Sequence, residues 1–136
     1  MGQNSKTVEA FYAAMGRGDI PVAIGSLDPQ IVWNEAENFV YADKSPYIGV
    51  DSVLTGLFAR LGGEWDGFSA VPHEIVDGGE TVVALGRYGG VYKATGVKIN
   101  AQFVHVFKFK DGKIVHFQQY ADTAQVRDAV RLRATA

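Results

Sequence analysis

Residues 97–121 read VKINAQFVHVFKFKDGKIVHFQQYA. Two runs rich in Val, Ile, Phe and Tyr, Val97–Phe109 and Lys113–Ala121, flank the turn dipeptide Asp111-Gly112. Alternating runs around such a dipeptide predict an antiparallel hairpin. Working outward, Phe68–Val76 and Thr81–Val91 carry the same composition. Asp77-Gly78-Gly79 and Thr95-Gly96 separate these strands, so four neighbours pair antiparallel. Glycines inside the strands, Gly86, Gly89 and Gly90, suit a strongly bent sheet.

The N-terminal half reads as helices around one strand. Val8, Phe11, Tyr12 and Met15 fall at i, i+3, i+4 and i+7, one apolar helical stripe ended by Gly16 and Gly18. Asp19 is placed to cap a short second helix with Ile20, Val22, Ala23 and Leu27 inward, broken by Asp28-Pro29. Ile31–Glu37 predicts a strand with Ile31, Trp33, Glu35 and Glu37 on one face. The stretch Asn38–Val50 is loop-like. Asp51 or Ser52 caps a third helix carrying Leu54, Leu57, Phe58 and Leu61, and Gly62-Gly63 stops it. A last helix is predicted from Thr123 to about Arg131. The order gives an α+β fold, a curved antiparallel-rich sheet with helices on its concave side. Such a sheet encloses an apolar cone, a shape that holds small molecules.

Composition narrows the function classes. At 136 residues the chain is expected to form one domain, 1–136. Thirteen basic against fifteen acidic residues leave a net charge of −2, without the basic excess of a nucleic-acid binder. The one basic cluster, Lys108, Lys110 and Lys113, lies around a turn and reads as a solvated hairpin tip. The longest run free of Asp, Glu, Lys and Arg, Ile99–Phe107, is less than half the roughly 20 residues that a membrane-spanning helix needs. The first ten residues lack the zones of a signal peptide, and there is no cysteine, so the expected setting is the cytoplasm. The three histidines are far apart in sequence and no metal motif occurs, so no metal and no cofactor are expected. Neither a nucleotide-binding glycine loop nor a serine-hydrolase elbow is present.

Several motifs together carry a resemblance: FYAAMGRGDI at residues 11–20, IVWNE at 31–35, PYIGVDSV at 46–53, and FVHVFKFKDGKIVHFQQYADTA at 103–124. In their order and spacing the chain resembles the SnoaL-like, ketosteroid-isomerase-related branch of the nuclear transport factor 2-like superfamily. The likeness runs over nearly the whole chain. It implies a helix-lined cone, and it implies a general base at Glu35. The position of the family's oxyanion tyrosine on the first helix is Phe11 here, and Tyr12 next to it is rotated by 100°. His105 stands where the family carries a protonated Asp. In cyclase-type members an acid/base Asp lies on the final strand, which corresponds here to Asp122 or to the Gln119 position. Asp122 also reads as the N-cap of the terminal helix, with Gln125 three residues on.

The residues themselves add detail. His105 sits between Phe103 and Phe107 on one strand face, which fits either a core histidine tied by hydrogen bonds or a pocket imidazole, where burial favours a neutral ring able to donate from one nitrogen and accept at the other. Its cross-strand neighbour depends on the hairpin register. A two-residue Asp111-Gly112 loop pairs Lys110 with Lys113 and sets His105 opposite Gln118. A bulge at Gly112 pairs Phe109 with Lys113, sets His105 opposite Phe117 and Phe103 opposite Gln119. The second is preferred, because it turns Phe117 and Gln119 inward and His116 outward. Glu35 shares a face with Trp33, and a carboxyl beside an indole in a dry pocket has its pKa raised toward neutrality by desolvation. Trp33, Tyr47, Phe58, Trp65, Tyr88 and Phe103 are the expected aromatic lining, with Tyr47 in a loop over the mouth.

The expectation is a cofactor-free isomerase or cyclase acting on a small apolar or aromatic carbonyl compound. Glu35 removes a proton, His105 serves the developing enolate oxygen, and Gln119 and Tyr47 orient the substrate. The alternative is a non-catalytic binding or sensing module with the same cone. An epoxide-hydrolase-like reading ranks last, since Arg87 and the carboxylates offer no matching set. A homodimer through the sheet is expected, because the convex face otherwise exposes Val, Leu and Tyr side chains.

Overall fold

The computed structural model describes residues 2–132; positions 1 and 133–136 of the expected domain lie outside the described residues. Helix α1 (Gln3–Gly16) and the short α2 (Ile20–Ile24) precede strand β1 (Leu27–Asn34). Strand β2 (Tyr47–Ile48) leads into α3 (Val50–Val53), a π-helical turn (Leu54–Phe58) and α4 (Ala59–Glu64). Strands β3 (Trp65–Gly78), β4 (Thr81–Tyr92), β5 (Lys98–Lys110) and β6 (Lys113–Ala121) follow, and α5 (Thr123–Arg131) closes the chain.

The sheet order is β2-β1-β6-β5-β4-β3. β1 runs parallel to β6 and every other pair is antiparallel. The period-2 pattern decides the two faces. In β5, Ile99, Ala101, Phe103, His105, Phe107 and Phe109 are buried, while their alternating neighbours face outward. α1 packs across β3 and β4 on the concave side.

The bend has local causes. A Cβ at Gly86 would come within 2.3 Å of the Val71 carbonyl oxygen, so only glycine lets β3 approach β4 there. The register of β3 slips between Pro72 and Glu74, opposite that glycine. Gly90 adopts φ 134, outside the range of other residues. A glycine of close approach, a bulge and a glycine of special φ therefore lie along one edge pair and curl it over the helices.

Three boundaries differ from expectation. Leu27 does not end α2; it opens β1, and the strand passes through Asp28-Pro29. Proline is tolerated because it lies where the β1–β6 register shifts and beyond the short reach of β2, so no ladder bond is lost. Val22 is half exposed rather than inward, since only Ile20, Ala23, Ile24 and Leu27 share the helical stripe. Gly49, not Asp51 or Ser52, precedes the third helical segment, and Gly62-Gly63 lie inside its last turn. Burial of Trp65, at the switch to extended backbone, stops the helix instead.

The hairpin combines features of both expected registers. Asp111 and Gly112 have φ of 51° and 78°, and Lys110 pairs with Lys113 around a two-residue turn. One further residue on β6 then shifts the ladder between Lys108 and Phe109. His105 thus faces Gln119, and neither Gln118 nor Phe117 is its partner. Phe117 and Gln119 still turn inward, as preferred, because the bulge restores the face that the tight turn had exchanged.

Candidate active site

The concave face and the helices enclose a cavity of about 1030 Å³. Phe11, Trp33, Phe58, Trp65, Tyr88 and Phe117 line it, together with Glu35, His105 and Gln119. The walls are mostly aromatic. Trp33 lies directly beside Phe117 across the β1–β6 ladder and stacks on it at 3.6 Å, while Phe58 meets the indole edge-on. Exposed Glu9, Gly16 and Glu74 also border the cavity and mark its open side.

Glu35 follows the last residue of β1 and is 7% exposed. Its backbone N–H donates to Ser45 Oγ at 3.1 Å. Burial pushes its carboxyl up from 4.5 to about 8, opposed by the Trp33 indole N–H and by the charge of Arg60. That indole N–H is itself buried with no hydrogen-bond partner. It sits near enough to favour the carboxylate, yet outside hydrogen-bonding geometry.

His105 is 5% exposed, and burial lowers its pKa from 6.5 to about 3, so the ring is neutral. Both nitrogens are occupied. Nδ1 meets Tyr12 Oη at 2.6 Å and Nε2 meets Tyr88 Oη at 2.5 Å. Phe103 stacks on the back of the ring at 4.0 Å. Burial raises both tyrosine pKa values well above the ordinary range, so both phenols stay protonated. Gln119 ties this cluster to the Glu35 segment. Its Oε1 accepts from the Ala36 N–H at 3.0 Å and its Nε2 donates to Tyr88 Oη at 2.7 Å.

Five expectations change with this geometry. His105 cannot serve a ligand oxygen directly, because two tyrosines use both of its nitrogens. Asp122 lies away from the cavity, exposed, and caps α5 by accepting from the Gln125 N–H at 3.1 Å. Tyr47 does not line the cavity: its hydroxyl donates to the Tyr41 carbonyl and accepts from Arg60, which in turn holds Asp43. Phe103 stands behind His105 rather than on the cavity surface. Glu37 is exposed, since the strand that would have carried it inward ends at Asn34.

Tyr12 is not among the expected site residues, yet its hydroxyl reaches His105 and its ring lines the cavity. The signal was present, because Tyr12 falls on the same apolar stripe as Val8, Phe11 and Met15. A stripe wide enough for both residues 11 and 12 puts both rings inward, and both line the cavity.

Residues 8–117 match the SnoaL-like domain family. The chain belongs to that family. A nuclear transport factor 2-like protein from Burkholderia thailandensis E264 is 36% identical to this member, with a TM-score of 0.90 over 96% of this chain and 99% of the other. A protein named TerC, co-crystallised with polyporic acid, is 21% identical and superposes with a TM-score of 0.84 over 95% and 98%. A provisionally named SnoaL-like polyketide cyclase from Jannaschia sp. CCS1 is 18% identical, with a TM-score of 0.79 over 94% and 91%. These last two likenesses establish the shared fold. None of the curated proteins matches the chain.

The raised Glu35 pKa has a stability signature. Between pH 4.5 and about 8 the native state holds a proton that the unfolded chain has lost, so stability falls as pH rises through that window. Glu35→Gln removes this loss. The melting temperature of E35Q relative to the parent protein is expected to be higher at pH 9 than at pH 5, by an equivalent on the order of a few kcal/mol. A difference that does not vary with pH would contradict the assignment.

Proposed function

We propose that this SnoaL-like protein is a cofactor-free acid–base catalyst acting on a flat, largely apolar carbonyl compound. One observation carries the reading: a desolvated carboxyl with its pKa near 8 shares an aromatic cavity with protonated phenol and indole donors. In the ionised form Glu35 takes a proton from the carbon next to the carbonyl. The C–H electron pair moves into the enolate, and its oxygen is met by an O–H or N–H donor. Glu35 then returns the proton, to the same carbon or to a conjugated one. The aromatic walls supply apolar contact area for the ligand, and the polar groups fix its orientation.

A second reading rests on the same pKa. Below about pH 8 Glu35 is neutral and serves as a hydrogen-bonding group rather than a base, which suits a binding or sensing module. A thermal-shift series of steroid enones, polyketide-type diketones and polyporic acid separates the two, since a ligand of the native state raises stability. For each compound that binds, deuterium exchange from solvent at the carbon beside its carbonyl is then followed. The catalyst reading expects exchange that rises with pH toward about 8 and falls roughly 100- to 10,000-fold in E35Q. Binding without exchange at any pH favours the module.

We further propose a homodimer formed through the outer sheet face. Val71, Val76 and Tyr120 are exposed there beside half-buried Val83, Leu85, Val104 and Val106. An apolar area of this kind is usually covered by a partner. Sedimentation velocity at micromolar concentration is expected to show a dimer that Val104→Lys dissociates; a monomer in the parent protein contradicts it.

A further inference from the structure

Tyr12, Tyr88 and His105 together carry one hydrogen more than their mutual contacts use. Each phenol holds one hydrogen and a neutral imidazole holds one. The two contacts, Tyr12 Oη with Nδ1 and Tyr88 Oη with Nε2, consume one each. A neutral ring cannot donate at both nitrogens or accept at both. One tyrosine therefore donates to the ring and the other accepts from it, and the acceptor keeps its own hydrogen.

Gln119 decides which is which. The Ala36 backbone N–H can only donate, so the Gln119 atom facing it is the oxygen, and the amide orientation is fixed. Gln119 Nε2 consequently donates to Tyr88 Oη. If Tyr88 passes its hydrogen to His105 Nε2, Gln119, Tyr88 and His105 each accept one bond and give one, and successive bonds reinforce each other. Either order leaves one phenol hydrogen without a partner among the described residues, but the reverse order also loads the Tyr88 oxygen with two donors and leaves the Tyr12 oxygen with none. Tyr12 has no polar contact other than His105 among those residues, and it lines the cavity.

We infer that the chain runs from Gln119 through Tyr88 and the Nδ1–H tautomer of His105 to Tyr12, and that the Tyr12 hydroxyl is the free donor for the oxygen of a bound carbonyl compound. Tyr12 touches the ligand; His105, Tyr88 and Gln119 are positioning residues that hold its hydrogen toward the cavity. The ligand half of this inference rests on the carbonyl reading above, whereas the tautomer half does not.

Two measurements keep those halves apart. Two-bond proton–nitrogen correlation spectra of the unliganded, nitrogen-15-labelled protein at pH 7 read the tautomer, with His105 identified as the ring that persists in His73→Gln and His116→Gln. A protonated Nδ1 with a bare Nε2 is expected. An Nε2–H ring or an imidazolium overturns the chain direction. The second measurement follows the carbonyl stretch and the affinity of 2-acetylnaphthalene, a flat aryl ketone, in the parent protein and in Tyr12→Phe. The stretch is expected to lie lower in the parent, and Y12F is expected to bind about tenfold more weakly. An unchanged stretch in Y12F overturns the role of Tyr12. Failure of the ketone to bind the parent protein overturns the carbonyl reading for this class, and the nitrogen spectrum still decides the tautomer.

Discussion

Polar groups placed inside an apolar hollow must be satisfied or neutral, and this constraint organises the whole site. Glu35 meets it by keeping its proton, and His105 meets it by losing one. The tyrosines and Gln119 meet it by bonding to the imidazole and to the backbone. Gln119 matters most here. Its single amide joins the chain just after Glu35 to the tyrosine–histidine cluster, so the carboxyl and the donors are held in one frame.

That frame depends on the sheet. β1 and β6 lie side by side in parallel, which sets Trp33 against Phe117 and delivers Glu35 beyond the strand end near Gln119. β5 and β4 bring His105 and Tyr88 from adjacent strands, and α1 brings Tyr12 from across the cavity. The close approach at Gly86 and the bulge beside it curl β3 and β4 over the helices. The donors thus stand on regular helix and strand positions, which preorganises them.

Much of this was legible in the sequence. Alternation in 97–121 gave the inward positions of His105, Phe117 and Gln119, and the helical stripe gave α1. The strand pattern through Trp33 also reached Glu35. The missing parts share a physical origin: they depend on pairing that local pattern does not encode. The bulge that faces His105 to Gln119 follows from how β6 meets both β5 and β1. A 100° rotation separates Tyr12 from Phe11, yet the buried stripe of α1 is wide enough to take both. Tyr47 and Asp122 have side-chain chemistry suited to a site, but local geometry uses it elsewhere, in a brace with Arg60 and in a helix cap.

A shared fold does not fix a chemistry, and the proposed one depends on the carboxyl of Glu35. The most direct test is a carbon-13 titration of the Glu35 side-chain carboxyl in the unliganded protein, with the signal identified by its loss in E35Q. The account predicts a midpoint of about 8. A midpoint at the ordinary value of 4.5 would mean that water reaches the group, and the desolvated site described above would not exist.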